Sequence, residues 1–192
     1  MTKNNKNTVR ISGGTLRGRL IKTPGGATHP MGERERIALF NMIQDRIAGN
    51  YVLDLYAGGG TLGIEALSRG ANFCMMIDKS PEAVEVANQN LRELDIYGMQ
   101  GLMFPGGASS GAAMQGDVAL IARTATDRYG IVIADPPYDD YSEKMVKYLP
   151  RLVLDGGVLV LSHPGDAPEI QGVKLTKSHS YANATISIYV KN

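Results

Sequence analysis

Tyr51-Val52-Leu53-Asp54-Leu55-Tyr56-Ala57-Gly58-Gly59-Gly60-Thr61-Leu62-Gly63 runs from a short apolar, β-prone segment through three glycines into a helical pattern. Small residues between a strand and a helix let a ligand approach the backbone, and the helix start offers free N–H groups. The stretch predicts a strand over 51–55, a ligand loop at Tyr56, Ala57, Gly58, Gly59 and Gly60, and a helix over 62–68.

The same alternation continues outward, without an internal repeat. Strands are predicted over 73–77, 131–135 and 158–162, and helices over 81–94, 118–126 and 142–152. Ser80 and Pro81 suit the cap and first turn of their helix. The runs 173–178 and 185–190 alternate like a terminal hairpin. The expected fold is an α/β, doubly wound, Rossmann-like sheet, parallel except for an antiparallel C-terminal strand. Upstream, 9–12 and 16–22 flank Gly13-Gly14 as a small β-hairpin that would place Arg17 and Arg19 on one face, and a helix follows over 33–47.

With 192 residues, 43% hydrophobic and 20% charged, the chain suits an ordinary globular core. Residues 1–28 read as a basic hairpin extension and 29–192 as the sheet domain. Residues 1–6 lack the apolar core of a signal peptide and no membrane-spanning run follows, so a cytoplasmic address and no membrane partner are expected. A single cysteine, Cys74, excludes an internal disulfide and sits in an apolar run as a core residue. His163 and His179 lack companions at metal-ligand spacing, so no metal is expected.

Net charge is +1, but residues 1–40 carry +6 and the remainder −5. That asymmetry directs the first segment toward a polyanion. Arg10, Arg17, Arg19, Lys22, Arg34 and Arg36 are the candidate phosphate contacts.

Ile131-Val132-Ile133-Ala134-Asp135-Pro136-Pro137-Tyr138 ends a buried-type strand in a carboxylate, a rigid turn and an aromatic ring. Two prolines remove two backbone donors and leave carbonyls that can accept from an amino group. The arrangement suits a flat, amine-bearing ring, with Asp135, Pro136 and Tyr138 as catalytic candidates. Asp78 follows the second strand where a carboxylate would accept ribose hydroxyls, with Lys79 beside it; Asp117 and Val118 suit the adenine side. Each aspartate has a competing role as a helix cap or turn residue. Asp54 beside the glycines would repel a pyrophosphate but favour a sulfonium, so S-adenosylmethionine is preferred to NAD.

Val9 to Gly14 with Arg17-Gly18-Arg19, Ala38 to Asn41, Asp54 to Gly60 with Gly63 to Ala71, Asp135 to Tyr138 and the ending Ser187-Ile188-Tyr189 together resemble the RsmD-type 16S ribosomal RNA guanine-N2 methyltransferases. The resemblance spans nearly the whole chain. It implies a class I methyltransferase fold, S-adenosylmethionine as donor with S-adenosylhomocysteine as product, and guanine in 16S rRNA or the small ribosomal subunit as acceptor, with no obligate protein partner evident. Adenine-N6 methylation, an oxidoreductase and a non-catalytic RNA-binding module are the competing functions. The chain departs from the family at His29-Pro30-Met31, where Arg-Pro-Thr is usual, and over 98–116. There an edge strand is expected at 102–104, followed by an insertion over 105–114.

Overall fold

The computed structural model describes residues 7–25, 31–99, 108–181 and 184–192. Strands β3 (Tyr51–Leu55), β4 (Phe73–Asp78), β5 (Ser110–Gln115), β6 (Tyr129–Ala134) and β7 (Val153–His163) are parallel. β8 (Val173–Ser180) and β9 (Thr185–Lys191) complete one seven-stranded sheet of order β5-β4-β3-β6-β7-β9-β8. β9 runs antiparallel to both β7 and β8. Inserting that strand between β7 and β8 departs from the plain dinucleotide-binding order, in which the sheet edge simply continues.

Parallel strands covered on both faces should read as near-continuous apolar runs, and β6 and, but for Asp54, β3 do: Val52, Leu53, Leu55 and the segment Ile131, Val132, Ile133 and Ala134 are all buried. One core cluster unites one sheet face with helices α1 (Glu33–Met42), α2 (Thr61–Ser68) and α3 (Pro81–Glu93). The other unites the opposite face with α4 (Val118–Thr124) and α5 (Glu143–Val146). Among the described residues, no helix is long and apolar enough to cross a membrane.

Gly63 lets α2 lie against β4: a Cβ there would stand 2.5 Å from Met76 Cε and 2.9 Å from Cys74 Sγ. The edge strand β5 is the stretch expected to be an insertion. Its sequence, Ser-Gly-Ala-Ala-Met-Gln, is small because a Cβ at Gly111 would meet Leu67 Cδ1 at 2.9 Å and the Cys74 carbonyl at 3.0 Å. Close packing under α2 and α3 thus selects residues that look like a flexible loop. Residues 102–104, His29 and Pro30 lie outside the described residues. Met31 packs against the core.

Other boundaries differ from expectation as well: β7 begins at Val153, five residues before the strand expected over 158–162, and α4 ends at Thr124 instead of 126. The helix expected over 33–47 stops at Met42, and a 3-10 turn, Gln44–Arg46, carries the chain on with Ile43 and Ile47 still buried. The helix expected over 142–152 breaks into α5 and a 3-10 turn, Leu149–Leu152, since Pro150 cannot donate to a continuing helix. The amino-terminal ladder is only β1 (Thr8–Arg10) against β2 (Leu20–Lys22), pairing Arg10 with Leu20.

Gly13-Gly14 is therefore not a tight hairpin turn. It lies in the loop 11–19, which docks on α2: Thr15 N–H donates to the Ser68 carbonyl at 2.7 Å and Leu16 N–H to Ser68 Oγ at 2.9 Å. A Cβ on Gly14, whose φ is +77°, would fall 1.8 Å from the Ser68 carbonyl oxygen. Arg17 and Arg19 project from this loop, not from a strand face. Ile11 and Ile21 belong to the main core.

Candidate active site

The strand register builds the site. One residue beyond the paired positions Ile77, Leu55, Ala134 and Leu161 brings Asp78, Tyr56, Asp135 and Ser162 into one row along the carboxyl edge. That edge is where open α/β sheets place ligands.

Tyr56 turns the chain out of β3 with φ +65°, a left-handed conformation that a bulky residue adopts at a cost of about 1–3 kcal/mol. The turn throws its ring onto the face opposite Asp54, against the α4 and α5 cluster. Burial, followed by the nearby Asp140 and Asp117 carboxylates, pushes the Tyr56 phenol up to about 12. Gly58 (φ +53°) and Gly60 (φ +84°) continue the turn into α2. A Cβ on Gly58 would meet nothing within 4 Å, so this backbone faces open space. Asn90 fixes the underside of the loop, donating to the Gly59 carbonyl at 2.9 Å and exchanging hydrogen bonds with the Lys22 backbone.

Asp78 accepts Gly58 N–H on one carboxylate oxygen at 2.8 Å and Ser80 N–H on the other at 2.9 Å. Each oxygen retains a lone pair, as a ribose diol would require. Asp117 caps α4 through Leu120 N–H at 2.7 Å, while Val118 is buried beside it. Lys79 is exposed and pairs with Asp140 at 2.5 Å, bridging the ends of β4 and β6. An α/β edge rich in carboxylates and open glycine backbone fits a cationic, adenosine-bearing cofactor.

Asp54 sits differently from its expected place. It is 1% exposed, beneath the loop, with one oxygen accepting Gly63 N–H at 2.8 Å and the other without a partner among the described residues. Burial, opposed by that hydrogen bond and reinforced by Asp135 and Asp78, raises its pKa to about 8. A buried, largely protonated carboxyl cannot discriminate sulfonium from pyrophosphate by charge, so Asp54 does not supply the preference for a sulfonium expected of it. Its folded pKa exceeds the ordinary 3.8, so the folded chain holds a proton that the unfolded chain releases. The resulting stabilisation is complete below about pH 4 and is lost as pH rises toward 8. Asp54→Asn should flatten the fall in Tm between pH 5 and 9; thermal unfolding across that range checks it, and an unchanged slope would remove Asp54 as the source.

Asp135 is partly buried; burial pushes its pKa up, and a hydrogen bond from Ser162 opposes the rise. Pro136 is buried, and the Pro137 carbonyl accepts Asp140 N–H at 2.9 Å and Tyr141 N–H at 3.1 Å. Among the described residues, no backbone hydrogen bond of that turn reaches the Pro136 carbonyl. Tyr138 opens the 3-10 turn Tyr138–Asp140, and its side chain lies outside the described set.

The basic candidates divide. Arg17, Arg19 and Arg34 are exposed and form no ion pair among the described residues. Arg10 is exposed and donates to the Gly18 carbonyl at 2.9 Å. Lys22 pairs with Glu93 at 2.5 Å. Arg36 cannot reach a phosphate: it is 1% exposed, 3.5 Å from Glu65, and donates to the Arg10 carbonyl at 2.7 Å. Glu65 was legible as the one acid in the apolar run 61–68, with Arg69 four residues on. Ser162 gave no local signal, because only the sheet register brings it to Asp135. His163 is buried between Ser187 Oγ at 2.8 Å and the Pro164 carbonyl at 3.1 Å, a structural position.

YlbH of Bacillus subtilis, which carries the name of an rRNA methyltransferase, is 28% identical over 193 residues, 95% of this chain and 99% of that protein. Ribosomal RNA small subunit methyltransferase D of Escherichia coli K12 is 30% identical over 131 residues, 68% of this chain and 60% of its own length. Among solved structures, an E. coli protein described as a methyltransferase, yhhF, superposes with a TM-score of 0.82 at 24% identity, covering 96% of this chain and 98% of that one. A hypothetical protein of a Thermus species gives 0.75 at 28% identity, covering 94% and 98%. The sequence model of the family described as "Conserved hypothetical protein 95" matches residues 9–190. The chain belongs to that family, the RsmD-type rRNA methyltransferases.

Proposed function

We propose that this enzyme methylates the exocyclic N2 amine of a guanine in small-subunit (16S) ribosomal RNA, using S-adenosylmethionine. The observation that carries the reading is Asp135, a partly buried carboxylate aligned with Tyr56 and Asp78 at the sheet edge, followed by a carbonyl free of the turn's own hydrogen bonds. Bound S-adenosylmethionine supplies an activated methyl group on a sulfonium. Asp54 shapes the loop from below through Gly63, Gly58 to Gly60 offer open backbone with Tyr56 and Ala57 at their start, and Asp78 receives the ribose. Asp117 and Val118 border the adenine side, and Lys79 acts through Asp140 instead of on the ligand.

Guanine N2 is a weak nucleophile because its lone pair is delocalised into the ring. Asp135 accepting one N–H and the Pro136 carbonyl accepting the other would hold the nitrogen pyramidal, its lone pair directed away from both acceptors. Asp135 then takes the departing proton or passes it to water. Tyr138 stacks on the base and fixes its plane. A base reaching this recess must be unpaired or turned out of its stack.

Labelled donor supplied to naked 16S rRNA, free small subunits and DNA, followed by nucleoside analysis, tests the reading. N2-methylguanosine in RNA is the expected product; N6-methyladenine, or no transfer to any of the three, overturns it.

Arg17 and Arg19, on a loop anchored to α2, grip phosphate together with Arg10 and Arg34. Replacing Arg17 and Arg19 by Gln should weaken RNA binding and reduce the slope of log affinity against log salt by about two. Filter binding between low and moderate salt measures it, and an unaltered slope would take the loop out of the interface.

A further inference from the structure

We propose that Ser162 is a positioning residue for the reaction: its hydroxyl holds the Asp135 carboxylate in the rotamer that presents one oxygen to the incoming amine. The inference rests on the assignment of Asp135 above. It deepens that reading by naming what holds the carboxylate in place.

Ala134 pairs with Leu161 across β6 and β7, so the next residues, Asp135 and Ser162, are direct neighbours at the strand ends. Alternation sends Val158, Val160 and Ser162 to the same sheet face as Ile131, Ile133 and Asp135. Val158 and Val160 are 2% and 1% exposed and wholly apolar, whereas Ser162, at 7%, ends their row in a hydroxyl. Its cross-strand neighbour on β9 is Ile186, which offers no side-chain partner. A polar side chain so buried needs an acceptor, and the Asp135 carboxylate, next to it across the strand ends and on the same face, stands where that acceptor is needed. One carboxylate oxygen is thereby occupied and the other left to the substrate.

The surrounding charges do not compete for this task. Asp54 on β3 faces the same corner, but burial pushes its pKa up to about 8 and, among the described residues, its one side-chain hydrogen bond comes from Gly63 N–H. Asp78 lies at the end of β4 with both oxygens engaged by Gly58 and Ser80. Tyr56, pushed to about 12, remains uncharged. His163 alternates to the opposite face, beside Tyr141 with ring centroids 6.4 Å apart, and is held there by Ser187 and the Pro164 carbonyl.

A hydroxyl donating to a carboxylate favours its charged form, so its removal should move Asp135 further up. In Ser162→Ala, carbon NMR titration of the Asp135 carboxyl in the cofactor-free protein should shift upward by about one pH unit, the value of one such hydrogen bond. Turnover should fall about tenfold with KM for RNA within about twofold, and the acid limb of kcat should move in the same direction. Ser162→Thr restores the donor and should recover both readouts; Ser162→Cys keeps the volume with a weak donor and should behave like Ser162→Ala even if alanine unfolds the strand end. An unmoved titration in both the Ala and Cys variants, or equal behaviour of Thr and Ala, overturns the proposal. If Asp135→Asn is inactive while Ser162→Ala and Ser162→Cys match the parent, only the Ser162 inference fails. Full activity in Asp135→Asn would remove the reading beneath it.

Discussion

Asp135→Asn is expected to reduce turnover by about two orders of magnitude or more, the usual effect of removing one charge-assisted contact at a reacting atom. The substitution preserves shape and keeps one carbonyl oxygen. It also replaces an acceptor with an amide N–H₂, which opposes the substrate's own donor and cannot receive a proton. Affinity for S-adenosylmethionine should stay within about twofold, because loop 56–60 follows β3 and Asp78 ends β4, whereas Asp135 follows β6. Single-turnover methyl transfer and calorimetry on the same preparation separate the two effects. Turnover within about threefold of the parent would exclude Asp135 from proton handling and from holding the amine.

The alternation of elements was readable because parallel strands buried on both faces are mostly apolar, and Ile131 to Ala134, and Val52 to Leu55 apart from Asp54, obey that. β5 was unreadable for the opposite reason. Gly111 is required by contact with Leu67 and Cys74, so packing wrote a strand in residues whose local preference is for loops. The site divided in the same way. Asp78 and Asp135 could be placed at the sheet edge from sequence because one ends an apolar strand and the other directly follows one. Asp54 also lies at a strand end, but its burial beneath Gly63 depends on how α2 settles, which no spacing encodes. Charge counting went furthest astray at Arg36: in sequence a cation beside Arg34 on a helix, in the fold a buried partner of Glu65.

That buried centre yields the largest expected effect on stability. Glu65 is 0% exposed and accepts from Ser12 N–H at 2.9 Å, Ser12 Oγ at 2.7 Å and Arg69 Nε at 2.9 Å, with Arg36 Nε at 3.5 Å. Glu65→Leu would leave the Arg36 guanidinium buried without a counter-charge, a situation that costs about 3–5 kcal/mol. In a chain of this size that corresponds to a fall in Tm on the order of 10 °C. Arg69→Ala should cost less, since Arg69 is 17% exposed and water can replace part of what it loses. The diagnostic is the pair: Glu65→Leu with Arg36→Met removes both charges together and should be more stable than Glu65→Leu alone, because the penalty comes from the orphaned charge and not from loss of the bridge. Equal Tm values for the single and double variants would show that the two groups do not depend on each other. Both variants also lose the Ser12 anchors, leaving loop 11–19 held to α2 chiefly through Thr15 and Leu16 at Ser68. RNA affinity should therefore stay depressed in the double variant even where Tm recovers, since Arg17 and Arg19 would then be presented by a looser loop that must be ordered on binding.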